Sequence, residues 1–195
     1  MLTGIKDLDY KILNELGDRD LVNVCQVNKT AKEICDDQVF WLNRILSKFP
    51  KVPIEILVRS KGERSWSEYY IKDLRLLNKM TPNKALIEGV VENRTDYTTI
   101  ALNEGADVHE DNELALRFAS QLGHAEVVKI LLKAGADVHA VDETPLYLAI
   151  EAGYTDVAKI LLEAGADPHI DHDAPLEYAI KHNHTEVVKL LRSYM

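Results

Sequence analysis

The tripeptide Gly-Ala-Asp occurs at residues 105–107, 135–137 and 165–167, offset by 30 residues each time. A strict period of that length constrains the fold more than composition does. A supersecondary unit of this size cannot bury its own apolar face, so successive units must stack and share a core. Such a stack presents a surface along its length instead of enclosing a pocket. Binding is therefore the first functional expectation.

In register, the units span residues 84–113, 114–143, 144–173 and 174–195, the last one truncated. Each reads as two short antiparallel helices. In the third unit, Leu146, Leu148, Ala149 and Ile150 give the first helix an apolar and small face. Gly153 follows where a left-handed residue ends the helix, and Asn93, Gly123 and Asn183 hold the equivalent places. The second helix is expected to begin with Thr95, Thr155 or Thr185 as N-cap, each followed by an acid that complements the helix dipole. Val157, Ile160, Leu161 and their counterparts form its apolar stripe.

Thr144-Pro145-Leu146, Gly123-His124 and the Val-Val-Lys-Ile-Leu-Leu run at 127–132 resemble ankyrin repeats over residues 84–195. The resemblance implies a helical solenoid with protruding hairpin fingers. The family's usual unit has about 33 residues, so a 30-residue unit implies short fingers and contacts shifted toward the first helices. Units of this length are familiar in ankyrin proteins of large DNA viruses. The outer units depart from the pattern, as capping units do: Glu88 and Gly89 stand where Phe118 and Ala119 stand in the second unit.

His109, His139 and His169 recur at the repeat period. Equivalent positions form a row along a stack, too widely spaced for one metal ion, and are read as turn residues. His124 and His184 fall at the family's Gly-His position and are read as structural. His172, His182 and His184 with Asp171 and Asp173 form a denser group that lacks fixed ligand spacing. No metal or other cofactor is expected.

The first 48 residues carry no repeat. Leu8, Ile12, Leu13 and Leu16 share a helical face, Gly17-Asp18 breaks that helix, and Asp20 opens a second with Leu21, Val24, Cys25 and Val27 inward. A third holds Phe40, Trp41 and Ile45. Three short helices have more apolar surface than they can bury among themselves, which implies a partner. The order Asp-Arg-Asp-Leu (18–21), Val-Cys-Gln-Val-Asn-Lys (24–29) and Asp-Asp-Gln-Val-Phe-Trp (36–41) resembles an F-box, without that family's opening Leu-Pro; Ile5 is the nearest equivalent. The alternative is a helical cap that shields the stack. Residues 49–83 read as a connecting segment: Pro50 and Pro53 end the third helix, residues 60–63 form a loop, and Ser65 to Glu68 form a capping box opening a helix to residue 80. Trp66, Tyr70, Leu74 and Leu77 form its stripe, expected to pack between the modules and fix their relation. The fold class is all-α throughout.

Composition narrows the function. Residues 84–195 hold 9 Lys+Arg against 20 Asp+Glu, whereas residues 1–83 hold 14 against 12. An acidic stack disfavours nucleic acid, because phosphate binding needs clustered cations, and favours a basic partner. No apolar run approaches a membrane span. The start of the chain lacks the apolar core of a signal peptide, and Leu2 stands where myristoylation needs glycine. Cys25 and Cys35 are read as free buried thiols in a reducing compartment. The expectation is an unanchored monomer in the cytoplasm or nucleus, of a host cell if the protein is viral. No Gly-rich phosphate loop, paired-cysteine metal motif or nucleophile elbow occurs. No enzyme is expected.

Together the two resemblances imply a substrate receptor, in which the F-box docks on a Skp-family adaptor of a cullin–RING ubiquitin ligase and the repeats hold a target protein. The alternative is an ankyrin scaffold or inhibitor with no ligase. Candidate adaptor contacts are Ile5, Leu8, Ile12, Leu13, Leu21 and Trp41. Candidate target contacts are Glu92, Arg117, Gln121, Leu122, Tyr147, Glu151, Ala152, Lys181 and His182, at the ends of first helices and in turns. Tyr and Arg are types enriched at interaction hot spots.

Overall fold

The computed structural model describes residues 13, 15–17, 20–21, 24–25 and 29–195. The chain divides into two compact units, Met1–Met80 and Thr81–Met195. Ile5, Leu8 and Ile12 lie outside the described residues.

In the first unit the helices are α1 (Lys29–Cys35), α2 (Gln38–Lys48), α3 (Ile54–Lys61) and α4 (Trp66–Tyr69), which runs through a π-helical turn, Tyr70–Leu74, into α5 (Arg75–Leu77). Asp37 caps α2 by accepting from the Val39 amide at 2.8 Å. Ser65 and Glu68 make the expected reciprocal capping box. Residues 60 and 61 close helix α3, so the loop expected at 60–63 is a correction. Pro53 stands immediately before that helix and Gly62 ends it at φ 58°, signals that read as breakers when taken singly.

The described apolar side chains of this unit share one core. Phe40, Trp41 and Ile45 of α2 are buried with Leu13, Leu21, Leu57, Tyr69, Tyr70 and Leu74. Trp41 packs 5.6 Å from Tyr70 and donates its indole N–H to the Cys35 carbonyl. The Trp66 amide donates to Gln38 Oε1 at 2.8 Å, tying the two helices' beginnings together. Arg44 is almost fully buried, with its guanidinium donating to the Leu16 carbonyl at 2.8 Å and the Leu13 carbonyl at 3.4 Å. A charged group so placed satisfies carbonyls that a helix end leaves orphaned. Cys25 and Cys35 are joined as a disulfide, correcting the expectation of free thiols. Their Cα atoms stand 6.0 Å apart, inside the range a disulfide spans without backbone movement.

The second unit is four helix pairs: α6 (Pro82–Val91) with α7 (Thr95–Glu104), α8 (Glu110–Leu122) with α9 (Ala125–Lys133), α10 (Ala140–Glu151) with α11 (Thr155–Glu163), and α12 (Ile170–Lys181) with α13 (Thr185–Arg192). First helices pack on first helices in chain order, and second helices do the same, giving two parallel rows. The core repeats with the sequence. Val127, Val157 and Val187 are buried at one register, Leu131, Leu161 and Leu191 at the next, and Ala119, Ala149 and Ala179 on the first-helix side. Each buried leucine contributes about 1.5–3 kcal/mol.

Asn93 (φ 55°), Gly123 (76°), Gly153 (77°) and Asn183 (60°) take the left-handed conformation that the sequence assigned to them. The threonines do not cap as expected. Thr95, Thr155 and Thr185 are the first helical residues, and Arg94, Tyr154 and His184 stand at the N-caps without a side-chain cap bond. The left-handed residue ends its helix so abruptly that the cap falls on the very next position, one residue before each threonine.

Between units, the short fingers take the form of compact turns, and no described residue lies in a strand. Asp107, Asp137 and Asp167 each accept from the amide two residues on, that of His109, His139 or His169, at 2.8–2.9 Å. The chain then passes through left-handed residues: Asp111, Asn112 and Glu113 in one turn, Val141 and Glu143 in the next, Asp173 in the third. Each histidine ring then pairs through Nδ1 with the acid four residues on: Glu113, Glu143 or Asp173. The histidines are thus turn residues, as the ankyrin resemblance implies, with carboxylate partners of their own.

Candidate interaction surface

The exposed edge of the first-helix row is where the repeat leaves side chains unspent. Inward positions are fixed by packing, and the residue after each helix is fixed by its left-handed φ. What varies from unit to unit is the last two turns of each first helix. Glu92, Gln121, Leu122, Glu151, Ala152, Lys181 and His182 all lie exposed there. Tyr147 is 37% exposed.

Arg117 differs from its neighbours. It is half-buried, and its Nη2 donates to the Asp111 carbonyl at 3.0 Å, holding the left-handed turn at the start of its own helix. Leu13, Leu21 and Trp41 are buried in the first unit, at 4%, 0% and 2% exposure. Their side chains form that unit's core.

The predicted contacts run along the whole row, and three of them lie close together toward its C-terminal end. Tyr147 and Glu151 lie one turn apart on α10, and His182 is the C-cap of the neighbouring α12. Glu92 belongs to the first pair, at the opposite end. A residue that sequence reasoning missed joins the group: Tyr178 of α12. Its ring centroid is 5.9 Å from that of Tyr147, at 59° between planes, and 4.1 Å from that of His182. The missed signal was a phenol at a register where the preceding units carry Leu148 and Phe118. Partial burial, then the negative field of Glu151 and the neighbouring Tyr147, hold the Tyr178 phenol above its ordinary pKa.

Inter-unit packing holds this edge in place. The Tyr154 ring covers Gly123, where a Cβ would come within 2.7 Å of it. His184 covers Gly153 in the same way, and its Nε2 lies 3.2 Å from the Glu151 carbonyl. Both glycines are therefore required by their positive φ and by the ring that lies on them. His184 keeps the structural role read for it, whereas His124 stands at the N-cap of α9 without a side-chain cap bond. Among the described residues, no three His, Cys, Asp or Glu side chains are grouped to hold a metal ion. No described helix is long and apolar enough to cross a membrane. The arrangement offers rings, carboxylates and an exposed edge to another macromolecule.

A model of ankyrin repeats in three copies matches residues 139–195, and a model of the single ankyrin repeat matches residues 111–143. The chain therefore carries ankyrin repeats, and these indicate a protein–protein interaction role and a target protein. No curated protein matches the chain.

Proposed function

We propose that the protein is a substrate receptor: its repeats capture a target protein, and its first unit docks on a Skp-family adaptor and thereby on a cullin–RING ubiquitin ligase. The observation that carries the capture half is the exposed first-helix edge, with Tyr147, Glu151 and His182 held at one end. The ligase half rests on the residue order of the first 48 positions, from Leu8 through Asp-Arg-Asp-Leu and Val-Cys to Trp41. Chemistry would reside in other subunits. The receptor would raise the effective concentration of target at the ligase. It would work as a monomer on a target with a basic surface that suits the acidic repeats.

A second reading, an ankyrin scaffold or inhibitor with no ligase, draws on one observation. Leu13, Leu21 and Trp41 are spent on the core of their own unit, and the Trp66–Leu77 stretch covers apolar surface that an adaptor would otherwise need to cover. Mixing the purified protein with a purified Skp-family adaptor, followed by size-exclusion chromatography, separates the two readings. Co-elution that Ile5→Ser abolishes, with the melting temperature unchanged, supports the receptor. No co-elution where an established F-box protein co-elutes leaves the scaffold.

A further inference from the structure

The ring cluster at the C-terminal end of the first-helix edge has chemistry of its own. Tyr147 and Tyr178 meet at 59° with centroids 5.9 Å apart, forming a corner instead of a parallel stack. His182 lies against Tyr178 at 4.1 Å. Glu151, exposed one turn beyond Tyr147, is close enough for its charge to act on the Tyr178 phenol. The two helices that carry the corner, α10 and α12, contain six carboxylate residues against one fixed cation, Lys181.

Aromatic faces beside a carboxylate select a particular ligand group. A guanidinium stacks on an aromatic ring through its plane and hydrogen-bonds a carboxylate with two parallel N–H donors. An ammonium is a compact, strongly hydrated charge that uses such a corner less well. An apolar side chain would gain the rings and leave Glu151 unused. The negative balance of the whole stack, 9 Lys+Arg against 20 Asp+Glu over residues 84–195, attracts the same kind of segment from a distance.

We propose that the Tyr147–Tyr178 corner, with Glu151, is the seat for an arginine side chain of the captured target. This rests on the reading that the repeats capture a protein, and it adds the chemistry by which one residue of that protein is recognised.

The test is an NMR titration of the full chain with a short Gly/Ser peptide bearing one arginine, alongside lysine and citrulline versions. The seat predicts saturable shifts of the Tyr147 and Tyr178 ring resonances with arginine, several-fold weaker binding of lysine and none of citrulline. Tyr147→Leu is expected to weaken the arginine peptide by about tenfold, the size of a partly desolvated cation–π contact. Glu151→Gln should do likewise. Glu126→Gln, an exposed acid on a second helix paired with Lys129, should leave binding unchanged. Tyr147 is the more exposed ring, so its replacement is the variant least coupled to folding, and a thermal melt confirms this. Unmoved tyrosine resonances, equal binding of the three peptides, or a Glu126→Gln loss equal to that of Glu151→Gln would each overturn the seat. A target that is captured normally by Tyr147→Leu overturns the seat and leaves capture standing. Arginine-selective binding at the two rings supports the seat even where no target is captured, in which case the capture reading falls by itself.

Discussion

His109 and His139 lean on carboxylates that are themselves nearly buried, Glu113 at 4% and Glu143 at 8% exposure. In each pair one carboxylate oxygen takes the ring and the other, Oε2, has no hydrogen-bond partner. The bond to the acid first, and its charge second, raise both imidazoles above their ordinary value. A raised folded-state value means the pairs contribute fully below about pH 6.5, the unfolded value, and the contribution disappears as pH climbs through the folded one. The melting temperature of the wild type should therefore exceed that of a His109→Gln, His139→Gln double variant most near about pH 6, and the gap should close toward about pH 8.5. A gap that does not change with pH would show that the pairs hold no proton of consequence. Gly89 makes a second residue-scale case. A Cβ there would stand 2.6 Å from the Thr98 amide nitrogen. The three later units keep alanine at this register, so the substitution looks harmless in sequence. Gly89→Ala is nonetheless expected to cost about 1–3 kcal/mol by overpacking, measured by urea unfolding.

At the scale of elements, the helices of the repeat were legible because their apolar positions return at a fixed register and Asn93, Gly123, Gly153 and Asn183 mark their ends. The turns between units were less so. Left-handed conformation is announced by glycine, asparagine or aspartate, and Asp111-Asn112 fits that rule. Val141 does not: a β-branched residue at φ 49° is held there by the bonds around it. Its side chain is 50% exposed, so little burial offsets the strain. Val141→Asn should raise stability by about 0.5–1 kcal/mol, since asparagine tolerates this region at lower cost. An unfolding midpoint equal to or below that of the wild type would contradict the strain. In the first unit, the capping box at Ser65 was legible from four adjacent residues. The burial of Arg44 was not, because its partners, the Leu13 and Leu16 carbonyls, lie 28 or more residues away. Tyr178 escaped for a related reason: its neighbours Tyr147 and His182 are brought to it partly by stacking, which no single unit reveals.

For the whole molecule, the chain forms two compact units, one built on an irregular helical core and one from repeated helix pairs. The repeats' binding role follows from their architecture. The link to a ligase depends on a residue order that begins before the first described position, which is why the fold was more legible than the function. The proposed receptor has two ends that act on different partners. Affinity purification with quantitative mass spectrometry tests it most directly, comparing the full chain with Ile5→Ser and Tyr147→Leu variants. Ile5→Ser is expected to lose the Skp adaptor and cullin while keeping the target, and Tyr147→Leu to lose the target while keeping the ligase subunits. Recovery of a target with no ligase subunit from the unaltered chain, under conditions where an established F-box protein brings them down, would contradict it.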